Sequence, residues 1–188
     1  LVTAIASIAA ALYTAYQPSM QSAYIANNKE ESKKLMGTAM TVYVILFILG
    51  TIALLTIGLP ILRIVKPTTI FSMPVIISIA FYNFFYRRQS YYASFISNTN
   101  HVPYMQAYII SGVAGVVLSV VLTHYFGLGI WGLVFGQFIP QIIYNCWKWP
   151  NEVFKSINTN SRELLSIGIK KIYGFLLNFA KKVSTIEK

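Results

Sequence analysis

The stretch AMTVYVILFILGTIALLTIGLPIL, residues 39–62, decides the class of fold, because it contains no charged side chain from end to end. A helix needs roughly 20 mostly apolar residues to cross the hydrocarbon core of a bilayer. The whole chain has a matching composition: 56% of its residues are apolar, 11% are charged and its mean hydropathy is +0.60. Soluble domains carry about a quarter charged residues, so the sequence predicts an integral membrane protein.

Four further apolar stretches flank residues 39–62, and polar segments separate them. The separators are the loop at 27–31, the Lys66-Pro67 pair, the segment 98–103 and the glycines at 127 and 129. Beyond residue 150 the composition changes to Asn, Ser and Lys. The sequence therefore predicts an all-α polytopic bundle over 1–150 and a basic tail over 151–188. The five predicted transmembrane helices are 1–25, 39–62, 70–96, 104–125 and 128–148.

Lysine and arginine are distributed unevenly along the chain. The first loop and the tail hold 11 of the 15 cationic side chains, and five crossings place both on the same side. Cytoplasmic loops are enriched in Lys and Arg. We therefore expect a multi-pass protein of the cell (inner, cytoplasmic) membrane whose first loop and C-terminus are cytoplasmic.

The terminal segment 161–182 mixes apolar residues with Lys170, Lys171, Lys181 and Lys182. This pattern is typical of a basic amphipathic helix that lies on the anionic cytoplasmic leaflet, which makes anionic lipids an expected partner. A short sixth span is the alternative, and it would bury two adjacent lysines.

Polar residues recur at steps of three and four in three of the predicted spans, so each set shares one helix face. In hydrocarbon, such a face must meet protein or a water-filled cavity. We favour a polar lumen, and interhelical hydrogen bonding in a dry core is the alternative. The three sets are Thr3, Ser7, Thr14, Gln17 and Gln21 in the first span, Asn83, Arg87, Ser90, Ser94 and Ser97 in the third, and Gln137, Gln141 and Asn145 in the fifth.

Arg87 and Arg88 lie deep in the third predicted span, where an arginine costs at least about 2.5–3.5 kcal/mol. The sequence has no Asp, and none of its five Glu falls within a predicted span. Because the planar guanidinium fork suits phosphate oxygens, the pair indicates a site for an anionic ligand. Two alternatives stay open: the arginines snorkel to the headgroups, or an acidic partner lies outside this sequence.

Other features argue against catalysis in this chain. No phosphate-binding loop, dinucleotide fingerprint or HExxH motif is present, and Cys146 has no partner cysteine. We expect no enzymatic activity, metal, cofactor or nucleic-acid partner. Gly132 and Gly136 form a GxxxG step, which permits close helix contact. Leu1 falls within an apolar run, so we interpret the sequence as part of a longer protein.

The run Gln17-Pro18-Ser19-Met20-Gln21, followed by the charged turn at 27–35, resembles polysaccharide flippases of O-antigen and capsule repeat units. In that family, a proline within a helix precedes a short polar loop and a charged turn that opens the next helix. The family belongs to the superfamily of multidrug, oligosaccharidyl-lipid and polysaccharide exporters. The resemblance covers residues 1–150 and implies most of the second lobe of a two-lobed transporter, whose N-terminal lobe is missing from this chain.

The resemblance implies that the protein moves an undecaprenyl-pyrophosphate-linked oligosaccharide across the membrane by alternating access through a cationic cavity. A multidrug cation antiporter of the same superfamily is one alternative. A membrane-embedded glycosyltransferase or polymerase and a non-transporting scaffold are others. The residues expected to bind the anionic substrate are Arg87, Arg88, Asn83, Ser90, Gln17, Gln137 and Gln141.

Overall fold

The computed structural model describes residues 1–68, 72–97 and 102–186, and every regular element in these ranges is helical. The predicted loop residues 98–101, which include His101, and the first two residues of the third predicted span lie outside them. The prediction of an all-α fold is confirmed. In chain order the α-helices are α1 (Val2–Ala9), α2 (Ala11–Ile25), α3 (Lys29–Ala53), α4 (Leu59–Val65), α5 (Met73–Ile96), α6 (Tyr104–Val120), α7 (Ile130–Pro140), α8 (Cys146–Ser156) and α9 (Ser161–Ile186).

Three π-helical turns extend these helices into longer rods. The turn Leu54–Gly58 joins α3 to α4, Gln141–Asn145 joins α7 to α8, and Val121–Tyr125 continues α6. A π turn widens the helix locally without ending it. Within the described residues, each of the five predicted ranges therefore largely coincides with a long helical rod, and the first rod is interrupted at Ala10, between α1 and α2.

Helix α3 begins at Lys29, ten residues before the predicted apolar stretch. Asn28 caps it, since its side-chain oxygen accepts a hydrogen bond from the Glu31 backbone N–H at 3.1 Å. Hydropathy marks the part of a helix that suits hydrocarbon, whereas the cap marks its first hydrogen-bonded turn. The helix therefore extends beyond the predicted span.

Two rods, Lys29–Val65 and Tyr104–Tyr125, are long and apolar enough to cross a bilayer. Only 22% and 17% of the residues in their most apolar segments are buried within the chain. Helices in the core of a soluble protein hide most of their apolar surface. Both rods instead expose side chains such as Ile48, Ile52, Val113 and Val117.

The helices alternate in direction. Contacts between α2 and α5 move toward higher residue numbers in both helices. Tyr13 donates to the Tyr91 carbonyl at 2.6 Å, and Gln17 donates to Ser94 at 3.1 Å. These two helices are therefore parallel. The contacts between α6 and α7 advance in opposite directions, from Gly115 beside Gln137 to Thr123 beside Gly132. These two helices are antiparallel.

The hairpin of α6 and α7 depends on small residues. A Cβ added at Gly132 would lie 2.6 Å from the Thr123 hydroxyl, and one at Gly136 would meet Ser119. The GxxxG step therefore does lie at a close helix contact, as the sequence indicates.

Helix α9 packs against α3. A Cβ at Gly168 would collide with Thr41 and with the Gly37 carbonyl, and one at Gly37 would lie 2.7 Å from the Leu164 carbonyl. The Lys33 ammonium lies 3.3 Å from the Glu163 carboxylate. The first turns of the predicted tail helix thus pack against the bundle. The N-terminal ends of α3 and α9 are neighbours, since Lys33 pairs with Glu163.

Candidate functional site

Helix α5 carries Arg87 and Arg88 well inside its length. Arg87 precedes the last residue, Ile96, by nine positions, which is about 14 Å along the axis at 1.5 Å per residue. Both side chains are half-buried. Both arginines therefore lie in the middle of a helix rather than at its end.

Arg87 is surrounded by aromatic rings. It lies near the Tyr43 and Tyr91 hydroxyls and acts on both electrostatically. The Tyr43 ring stacks on Phe84 at 5.7 Å and meets Tyr91 edge-on at 5.4 Å, and its hydroxyl donates to the Phe84 carbonyl at 3.2 Å. This packing holds the Tyr43 and Tyr91 rings in place near Arg87.

Arg88 faces different neighbours. Its guanidinium lies 5.3 Å from the centroid of the Tyr92 ring, a cation–π arrangement, and it is near Cys146. Tyr92 is buried and meets Phe154 of α8 edge-on. Successive helix residues are 100° apart, so the two arginines point along different faces. Tyr91 lies beside Arg87 and Tyr92 beside Arg88, and Tyr43 is within electrostatic range of both.

Within the three ranges that the structure describes, no carboxylate lies within 4.0 Å of either guanidinium. The ion pairs found there are Lys33 with Glu30 and Glu163, Lys34 with Glu31, and Lys148 with Glu152. The glutamates of these pairs lie at Glu30–Glu31, Glu152 and Glu163, all outside the predicted spans. The two charges at mid-helix are therefore not neutralised by the described part of this chain.

Of three further predicted site residues, two lie on α5 within four positions of Arg87, and the third lies on the neighbouring helix α2. Asn83 donates to the Ile79 carbonyl at 2.9 Å and Ser90 to the Tyr86 carbonyl at 2.9 Å, both within α5. Gln17 of α2 reaches Ser94. All three are half-buried. Their predicted role in substrate binding stays a prediction.

The predicted residues of the fifth rod have partners inside the bundle. Gln137 donates to Ser119 of α6 at 3.4 Å, and Gln141 is only 5% exposed. Gln141 accepts from Gln89 at 2.7 Å and from Asn145 at 2.9 Å, and it donates to Ser111 at 3.2 Å. This stripe has the arrangement of a dry interhelical network, the alternative to a lumen. A role of Gln137 and Gln141 in substrate binding stays a prediction.

The network includes residues that sequence reasoning passed over. Gln89 is 1% exposed, and Ser111 is 6% exposed and accepts from Asn145 at 2.8 Å. Trp149 donates to Asn145 at 2.8 Å and closes the network on α8. Gln89 was missed because it lies between the stripe positions of α5. The recurrence of Ser111, Gly115 and Ser119 at steps of four was the available signal on α6.

A groove of about 570 Å³ with a mixed polar and apolar lining lies where α2 turns into α3. Pro18 and Ser19 of the run resembling flippases line it, together with Ser22, Asn28 and Glu31. The motif thus shapes a surface groove at the helical turn. Neither arginine lines it.

In the described ranges, no group of three side chains has the chemistry to hold a metal ion. Comparison with protein-family models, with curated proteins and with solved structures returns no match to this chain.

Proposed function

We propose that the rods cross a bilayer five times, with the loop before α3 and the start of α9 on the cytoplasmic side. Three observations support this. The α3–α4 and α6 rods expose their apolar side chains. Helices α2 and α5 are parallel, as the first and third of five crossings must be. Lys33 and Glu163 meet, which requires the first loop and the tail to share one side.

We further propose that this bundle is a lobe of a flippase that translocates an undecaprenyl-pyrophosphate-linked oligosaccharide. The observation that carries the proposal is the mid-helix position of Arg87 and Arg88 without a carboxylate in the described ranges. A charge held at this depth needs a counter-charge. A pyrophosphate supplies one, and its oxygens match the geometry of a guanidinium.

In this proposal the arginines act by electrostatic attraction, and the aromatic rings around them limit access of water. Lower water access strengthens the attraction between charges. The lobes of such a transporter rock around a central site and expose it to each side in turn. The substrate would follow its pyrophosphate from one leaflet to the other.

The test uses the full-length protein in cells that lack their own polysaccharide flippase. Surface delivery of the lipid-linked glycan is compared for the wild type, Arg87→Ala, Arg88→Ala and Arg63→Ala at matched membrane abundance. Arg63 is the matched control, because it is exposed in the last turn of α4. We expect delivery to fall at least tenfold in the first two variants and to stay within twofold in the control.

The other outcomes separate the alternatives. Normal delivery by both variants at α5 would contradict the arginine site and favour headgroup snorkelling. Failure of these variants to accumulate would indicate an ion pair with a segment outside this chain. No delivery by the wild type would contradict the substrate, and drug export would then be measured for the cation antiporter.

A further inference from the structure

Helix α9 runs in the same direction as α3. The Lys33 ammonium lies 3.3 Å from the Glu163 carboxylate at one end of their contact, and a Cβ at Gly168 would collide with Thr41 at the other. Residue numbers rise along both helices from the first pair to the second, so the two helices are parallel. In a chain that crosses a bilayer repeatedly, the second and the sixth crossing share one direction. The orientation of α9 is therefore the one that a crossing after the proposed five requires.

The contact with α3 gives the depth at which α9 continues. Thr41 is the third residue of the apolar stretch 39–62, so Gly168 lies inside the start of that proposed span. Another 18 positions separate Gly168 from Ile186, where α9 ends. At 1.5 Å per residue they add about 27 Å, which approaches the roughly 30 Å of hydrocarbon in a bilayer. Helix α9 is therefore long enough to reach the other side.

Small residues form the contact between α3 and α9. Gly37 and Thr41 are one turn apart on the same face of α3, and a Cβ at Gly37 would lie 2.7 Å from the Leu164 carbonyl. Gly168 leaves the room on α9 that Thr41 occupies. Membrane helices associate through small residues four positions apart, because apolar side chains alone do not favour protein over lipid. The hairpin of α6 and α7 is built in the same way, so the contact of α9 is of the kind that two membrane helices make.

Exposed apolar side chains point to all sides of α9 after Gly168. Ile169 is 52% exposed, Phe175 69% and Leu177 44%. At 100° per residue, these three project in directions about 80–160° apart from one another. Residues 172–178 include no charged side chain. A helix that lies on a membrane surface confines its apolar residues to one face, whereas a span is apolar all round.

Lys170 and Lys171 are compatible with a crossing. They follow Gly168 by two and three positions, which places them about 6–8 Å beyond the level of residue 39. Both side chains are exposed. A lysine at this depth keeps its stem along the hydrocarbon and returns its ammonium to the headgroups. The two lysines therefore mark the cytoplasmic end of a crossing and stay away from its centre.

We infer that α9 is a sixth crossing, which carries the chain from the cytoplasmic to the opposite side of the membrane. Its first turns pack on α3, its exposed apolar side chains face acyl chains, and Lys170 and Lys171 reach the cytoplasmic headgroups. The distribution of lysines alone predicts a surface helix and a cytoplasmic C-terminus instead. The inference rests on the proposed five crossings but is independent of transport.

The first experiment labels single cysteines of the full-length protein in intact cells with a membrane-impermeant thiol reagent, in a Cys146→Ser background. Ser161→Cys reports the start of α9, and Lys188→Cys reports the side that the chain reaches after its end. Before permeabilisation we expect at least fivefold more labelling at 188 than at 161, and after it equal labelling. Labelling at neither position before permeabilisation would overturn the sixth crossing and leave the five crossings intact. Labelling at both would overturn the crossing and the cytoplasmic start of α9.

A second measurement separates a crossing from a surface helix. Single spin labels replace Leu176 and Gly174, which project about 160° apart, on full-length protein in nanodiscs. A Cβ at Gly174 has no neighbour within 4 Å. Accessibility to oxygen, which concentrates in lipid, is divided by accessibility to a water-soluble nickel chelate. We expect this ratio at both positions to exceed, at least fivefold, the ratio at Lys29, which is exposed at the start of α3. A lipid-like ratio at 176 with a water-like ratio at 174 would overturn the crossing.

Discussion

Arg88 illustrates how much a single side chain contributes to the proposed site. Its guanidinium lies 5.3 Å from the centroid of the Tyr92 ring, and Tyr92 packs against Phe154 of α8. No carboxylate of the described residues lies within 4.0 Å of this guanidinium. Charge and planarity are both available to a ligand there. Lysine keeps the charge and loses the planar fork, so the two contributions can be separated.

We expect Arg88→Lys to retain more glycan delivery than Arg88→Gln, with the loss in the glutamine variant at least tenfold. The reason is that attraction to a pyrophosphate depends first on charge and second on the fork. The measurement is the initial rate of surface delivery at equal membrane abundance. Equal rates in both variants and the wild type would contradict a role for the charge.

Gln141 is at the centre of the buried hydrogen-bond network that links it to Gln89, Ser111 and Asn145. We expect its replacement to destabilise the fold. Gln141→Leu leaves the buried Gln89 amide without its acceptor and removes one of the two acceptors of the Asn145 amide, which we expect to lower the free energy of unfolding by about 1–3 kcal/mol. The measurement is a titration with sodium dodecyl sulfate in mixed micelles. Gln106→Leu is the control, because Gln106 is exposed. An equal effect of both substitutions would contradict the network.

The sequence located the polar residues but not their partners. The position of Arg87 and Arg88 well inside a long helix was predictable, since they interrupt an otherwise apolar run. Their different orientations required the rotation of α5, which places Tyr91 beside Arg87 and Tyr92 beside Arg88. Gln89 joins a network through helices far from it in sequence, and no local pattern identifies such a partner.

At the scale of elements, the crossing of α3 and α9 depends on glycine. Gly168→Ala would place a methyl group against Thr41 and the Gly37 carbonyl. Both Gly168→Ala and Gly174→Ala raise helix propensity by about 1 kcal/mol, so a difference between them reports the packing. We expect faster hydrogen exchange over 157–168 in Gly168→Ala alone. Equal protection in the two variants would show that α9 is held elsewhere.

The attachment of α9 should also depend on pH. A hydrogen bond from the Thr159 hydroxyl at 2.8 Å, and then the Lys33 ammonium, hold the pKa of the Glu163 carboxyl below its usual range. A lowered pKa in the folded state stabilises the attachment above the ordinary value of about 4.3, and this contribution is lost as the pH falls through the lower folded value.

We therefore expect the distribution of distances between spin labels on α3 and α9 to broaden in the wild type as the pH falls from 5 to 3. Glu163→Gln should show a broadened distribution at every pH, because it cannot form the ion pair. A wild-type distribution that stays narrow at pH 3 would show that glycine packing alone holds the helix.

The elements were largely predictable, because long apolar runs and Asn, Gly and Pro separators mark helices directly. The π turns were not, since Leu54–Gly58 lies inside an uninterrupted apolar run whose local sequence favours an ordinary helix. The docking of α9 was also missed. Its lysines indicate a membrane surface, whereas its contact with α3 depends on two glycines that are 131 positions apart.

At the scale of the whole molecule, the two most apolar rods of the bundle hide little of their apolar surface. In the proposed insertion, the exposed apolar side chains of α3 and α6 face hydrocarbon, and the starts of α3 and α9, where Lys33 meets Glu163, lie in the aqueous phase. The arginines of α5 then lie between the two boundaries. The proposed transport depends on this placement, which makes the number of crossings the central claim.

The most direct test is the labelling of single cysteines in intact cells with a membrane-impermeant thiol reagent, in a Cys146→Ser background. The five positions are exposed and lie in successive connections: Lys29, Thr68, Val102, Phe126 and Ser161. We predict labelling from outside at 68 and 126, and labelling at 29, 102 and 161 only after permeabilisation. Labelling of all five in intact cells, or of neighbouring connections from the same side, would contradict five crossings.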